Sequence, residues 1–168
     1  GGFVSVVAAK AFDVEPWVIA VISASPMFGN LSSFFWTRIA TGRSKVPMVV
    51  TLQMMVLLCV VAIALSPRSH DGAWILLISV VTARILIAGI ITVRSVAWSL
   101  NYDRALRARA TGRLQAITSL TVVLTTSLAG WALDARPENF RYVYAAGAAL
   151  GCIGVWIFRG VLVQGEKR

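Results

Sequence analysis

The sequence predicts an all-α fold, a polytopic transmembrane helical bundle, and three observations lead there. Of 168 residues, 58% are hydrophobic and only 14% are charged, where a soluble domain carries about 25% charge, and the mean hydropathy is +0.78. The apolar residues fall in blocks long enough to cross about 30 Å of hydrocarbon as helix. The basic residues fall between those blocks, so a net charge of +9 leaves no continuous basic face for a phosphate backbone. Nucleic acid is therefore not an expected partner; the lipid bilayer is.

Residues 1–168 read as a single transmembrane bundle of five full spans and one remnant. Phe3 to Ala9 is apolar but too short to cross, and Lys10, Asp13 and Glu15 follow at once. Residues 1–9 are thus expected to be the end of a truncated first helix. A cleaved signal sequence is the weaker reading, because no charged start or cleavage site precedes them. The full spans are expected at 16–36, 46–65, 73–100, 112–133 and 140–158. Breaks separate them at Thr41-Gly42-Arg43, Ser66-Pro67, Asn101-Tyr102-Asp103 and Ala135-Arg136-Pro137.

Orientation follows from lysine and arginine in the short connections. One side carries Arg38, Arg43 and Lys45, then Arg104, Arg107, Arg109 and Arg113, then Arg159, Lys167 and Arg168. The other carries only Lys10, Arg68, Arg136 and Arg141, diluted by Asp13, Glu15, Asp71, Asp134 and Glu138. This places loops 37–47 and 101–113 and the C-terminus in the cytoplasm of an integral, multi-pass membrane protein, with a bacterial inner or plasma membrane as the expected location. All six tryptophans (Trp17, Trp36, Trp74, Trp98, Trp131 and Trp156) fall near predicted span ends, where an amphipathic ring favours the headgroup region.

Polar residues inside the spans are the candidates for function. Arg84 stands near the middle of the long segment Ala73 to Leu100. An arginine there costs at least about 2.5 kcal/mol on insertion scales, so it faces protein or a hydrated cavity. Ser23, Asn30, Ser33 and Thr37 recur on one side of the first full span, beside a small-residue strip of Ser25, Gly29 and Ser32 that lets another helix approach. Gln115, Thr118, Thr121 and Thr125 share about a third of the fourth full span's circumference. Such stripes either glue helices together or wall a substrate path. By contrast, 46–65 and 140–158 are almost wholly apolar and are expected to face lipid, with Gly147 and Gly151 packing against another helix.

The loop Trp36-Thr37-Arg38-Ile39-Ala40-Thr41-Gly42-Arg43-Ser44-Lys45-Val46-Pro47 resembles the basic loop between helices two and three of the major facilitator superfamily. Arg104-Ala105-Leu106-Arg107-Ala108-Arg109-Ala110-Thr111-Gly112-Arg113 is similar to the arginine-rich loop between helices four and five, and Leu128-Ala129-Gly130-Trp131-Ala132-Leu133-Asp134 to the close of helix five. The span order fits one six-helix half, preferably the first. The family loop places an acidic residue shortly before the Gly-Arg pair, where Ala40 and Thr41 stand here, so its charge-relay role is not carried over. Gly42, Arg43 and Lys45 keep the loop's turn and basic character.

The resemblance implies a secondary transporter that moves a small solute by alternating access, with two bundles rocking about a midplane site. Its partners would be the missing second six-helix half and a small-molecule substrate, anionic or amphipathic. The site would draw on Arg84, Asn30, Ser33, Gln115, Thr118 and Thr121. The competing reading is a non-transporting membrane scaffold acting through helix–helix association. No enzyme is expected, since none of the seven acidic residues and no histidine lies inside a span. No phosphate-cradling loop appears, and no cofactor or metal is implied. His70 reads as solvated loop surface, and Cys59 and Cys152 as buried free thiols.

Overall fold

Proline and glycine set several of the helix boundaries. Pro16 opens a helix at the first helical position, where its missing N–H would have had no partner. Gly42 turns the chain toward the next helix at φ 73°, a left-handed conformation that glycine adopts without steric cost. The computed structural model describes residues 2–12, 14–101 and 104–163. Its helices are α1 (Gly2–Ala11), α2 (Pro16–Ala40), α3 (Lys45–Leu65), α4 (His70–Asn101), α5 (Arg104–Ala135) and α6 (Phe140–Phe158), with a 3-10 turn at Pro137–Asn139 before α6. No strand occurs among the described residues. Five helices, α2 through α6, are long and apolar enough to cross a membrane, the length and composition of an integral membrane protein.

The helices extend past the expected spans, most of all in α5. Arg104 to Arg113, expected as a loop, already belongs to that helix. Alanine, leucine and arginine are strong helix formers, so a stretch too polar to count as a span is still helical. Asp13, Tyr102, Asp103, Lys167 and Arg168 lie outside the described residues.

α4 is the hub. It packs against α2 on one side and α3 on another, and α3 packs in turn against α6. A core of Val7, Ala8, Ile22, Leu76, Leu133 and Phe140 draws α1, α2, α4, α5 and α6 together. Among lipid tails helix association rests on close packing and polar contacts, because removal from water contributes nothing there. Close contacts are present. The Trp36 indole lies over Gly89, where a Cβ would stand 2.7 Å from the ring, and its Nε1 donates to the Ile85 carbonyl at 2.9 Å. Trp36 is therefore packed between α2 and α4, a departure from interfacial anchoring. Of the Gly147/Gly151 pair, Gly151 alone meets a neighbour, Leu57 of α3; Gly147 is open.

At the end formed by residues 14–16, 66–70 and 136–139, polar contacts join the elements. Lys10 pairs with Asp134, and Arg68 with Glu138 at 3.0 Å. The Arg68 Nε donates to the Ala11 carbonyl at 3.2 Å, and Arg141 to the Ser66 carbonyl at 3.2 Å. Exposed ion pairs of this kind contribute about 1 kcal/mol or less each, so they set position more than stability.

α5 stands apart from this assembly. Every residue from 111 to 128 is exposed, and among the described residues of α5 only Ala129 and Leu133 are buried. It touches α1, α6, the 3-10 turn and, least of these, α4. The cysteines also depart from expectation. Both are free, but Cys59 is only half-buried and Cys152 is exposed, because α3 and α6 turn them away from the helices they pack against.

Candidate functional site

Arg84 lies 14 residues after His70 and 17 before Asn101, the two ends of α4. At 1.5 Å per residue this is about 21 Å and 26 Å along the axis, close to the helix midpoint. Its side chain is half-buried, and no ion-pair partner for it occurs among the described residues. The cost of a charge at this depth therefore falls on nearby polar groups.

α2 supplies some of them. Gly29 brings the two backbones together: a Cβ there would lie 3.0 Å from the Arg84 carbonyl oxygen and 3.6 Å from the Ala88 Cβ. Just beside this crossing is a cleft of about 190 Å³, lined by Pro26, Asn30, Ser33, Arg84, Ile91 and Thr92 among others. The hydroxyl protons are already used locally. Ser33 donates to the Asn30 carbonyl at 2.6 Å, and Thr92 to the Ala88 carbonyl at 2.8 Å. The polar residues of the cleft lining are thus Arg84, Asn30 and hydroxyl-bearing Ser33 and Thr92, whose oxygens can still accept. That set suits an anionic or polar group held by charge-assisted hydrogen bonds.

A further group comes from α6. The Tyr144 hydroxyl is buried with no hydrogen-bond partner among the described residues, beside the α1 core and the Phe3 ring. A single hydroxyl in an apolar segment carries no periodic signal, so sequence reasoning passed over it. Gln53 on α3 was missed for the same reason; its Oε1 is also buried and unpartnered, against Gly151 and Val155 of α6.

The face of α4 that holds Arg84 changes character along its length. Ala73, Leu77 and Val80 share that face and are buried in the α1 core, while Ile91, farther along, is 53% exposed. The cover ends with α1. Beyond its tip, Phe3, Thr125, Ala129, Gly147 and Leu150 line a groove of about 510 Å³ between α5 and α6.

Arg84, Asn30 and Ser33 line one cleft. Gln115, Thr118 and Thr121 do not join them: all three are exposed on α5 and outside the cleft, and Thr121 donates to the Ile117 carbonyl of its own helix at 2.9 Å. Gly42 and Arg43 lie in the turn between α2 and α3, and Lys45 opens α3, its ammonium donating to the Arg43 carbonyl at 2.5 Å. His70 is exposed surface as expected, but as the first residue of α4 and not a loop residue. Arg94 lies over the Trp98 ring at 5.3 Å. No cluster of three or more metal-ligating side chains occurs among the described residues. No protein family, curated protein or solved structure matches the chain.

Proposed function

We propose that this chain is one half of a facilitator-type secondary transporter, moving a small anionic or amphipathic solute by alternating access. The carrying observation is the half-buried Arg84 at the midpoint of α4, without an ion-pair partner among the described residues and lining one cleft with Asn30 and Ser33. A guanidinium held at this depth with no carboxylate among the described residues is an unspent anion site, and its charge would be matched by the substrate or by a carboxylate of a second bundle. The resemblance of the 36–47 and 104–113 segments to facilitator loops supports the same reading. In this reading the Arg43 end is cytoplasmic, and the second six-helix half supplies the opposite wall of the path.

The exposed length of α5 favours a second reading, a scaffold that recruits another helix along this surface. Labelling separates the two. In the full-length protein with Cys59 and Cys152 replaced by serine, Asn30→Cys and Ser33→Cys are treated with a membrane-impermeant maleimide in right-side-out and inside-out vesicles. Alternating access expects labelling from both sides, reduced when transport is blocked. Protection from both sides would reject the transport path and leave the scaffold.

A further inference from the structure

The connections α1–α2 and α3–α4 enclose a second site that the proposed path does not use. Trp17, the second residue of α2, and Trp74, the fifth of α4, stand with ring centroids 5.6 Å apart and planes inclined by 53°. They wall a pocket of about 390 Å³ whose lining includes Phe12, Glu15, Arg68 and His70. That volume lies within the range of small-molecule sites, about 300–1,000 Å³.

Tryptophans at a membrane boundary ordinarily offer their indole N–H to water and headgroups. Here both N–H groups are taken up by neighbouring side chains. The Trp17 Nε1 donates to the Glu15 carboxylate at 2.5 Å, and the Trp74 Nε1 to the His70 Nε2 at 3.1 Å. The His70 ring meets Trp74 edge-on at 6.3 Å. Pinned in this way, the indoles present their π faces, which attract an organic ammonium. Glu15 adds a negative charge beside them. The His70 Nε2 accepts from Trp74, which leaves the Nδ1 edge of the ring for a further contact. Arg68, anchored by Ala11 and Glu138, adds a fixed positive charge to the same lining.

Among the described lining residues, one carboxylate, Glu15, and one guanidinium, Arg68 with Glu138 as its ion-pair partner outside the lining, suit neither a bare cation nor a bare anion. They match a ligand carrying both charges a few atoms apart. The pocket sits where α2 and α4 begin, the level at which membrane helices leave hydrocarbon for headgroups. We propose that this pocket binds the headgroup of a zwitterionic phospholipid, its ammonium against Trp17, Trp74 and Glu15 and its phosphate against Arg68 and His70.

The test titrates the detergent-solubilised full chain with dihexanoyl phosphatidylcholine, dihexanoyl phosphatidylglycerol and tetramethylammonium chloride, read by calorimetry. Phosphatidylcholine is expected to bind about tenfold more tightly than phosphatidylglycerol, the ratio that an ammonium contact and a removed charge mismatch would produce. Trp74→Leu and Glu15→Gln should each weaken phosphatidylcholine about threefold to thirtyfold. Trp131→Leu should change nothing, since Trp131 lies outside this pocket and is 75% exposed. Equal binding of the two lipids by the unaltered chain would overturn the proposal without any variant needing to fold. Tetramethylammonium binding as tightly as phosphatidylcholine would also overturn it, leaving a site for a soluble cation. An equal loss in Trp131→Leu would reduce the effect to unspecific interfacial adsorption and refute the site.

Discussion

Gly29 and Arg84 meet at the centre of the bundle: the space where a Gly29 side chain would begin lies 3.0 Å from the Arg84 carbonyl oxygen. The residue that allows α2 to reach α4 thus sits beside the residue that carries the buried charge. Packing and site share one crossing point, and a change at either is felt at both.

Gly29→Ala is expected to destabilise the bundle by about 1–3 kcal/mol, the usual range for overpacking, because the new methyl meets backbone and no flexible side chain. Thermal melting in detergent reads this directly. An unchanged melting temperature would contradict the close approach of α2 and α4.

Arg84→Ala should insert and melt normally while losing at least about tenfold in transport rate, the effect of removing one charge-assisted contact. Arg84→Lys should recover part of it, since the charge returns without the planar fork. Full transport by correctly inserted Arg84→Ala protein would remove the residue from the mechanism.

Tyr144→Phe separates stability from function. Its hydroxyl is buried without a partner, so deleting it should leave stability unchanged or raise it by about 1 kcal/mol. Transport should fall if that hydroxyl shares the solute with Arg84. A melt lowered by several degrees would show that the hydroxyl does bond within the fold.

Cys152, exposed on α6, should react faster than the half-buried Cys59 with a lipid-soluble maleimide, and both should resist a charged one. Mass spectrometry of the labelled peptides gives the order. Faster reaction at Cys59 would mean that α3 and α6 are turned differently.

The number and type of helices were legible because each span is a long apolar run closed by proline, glycine or charge. Their extents were less so. Arg104 to Arg113 is polar enough to resemble a loop, yet alanine and arginine hold it helical. The meeting of Arg84 with Asn30 and Ser33 could be anticipated because a charge and a polar stripe inside apolar segments seek each other. The separation of Gln115, Thr118 and Thr121 from that cleft could not, since nothing local to α5 records how it sits against its neighbours. Trp36 near a span end has the same sequence signature as an interfacial anchor. Only Gly89, more than fifty residues later, reveals it as a packed ring.

That ring carries one more consequence. Among the described residues, Trp36 alone sends its indole N–H to the backbone of another helix, at Ile85. Its emission should therefore register the separation of α2 and α4. A chain keeping Trp36 as its sole tryptophan would have a built-in optical gauge: blue-shifted while the helices touch, red-shifted as they part.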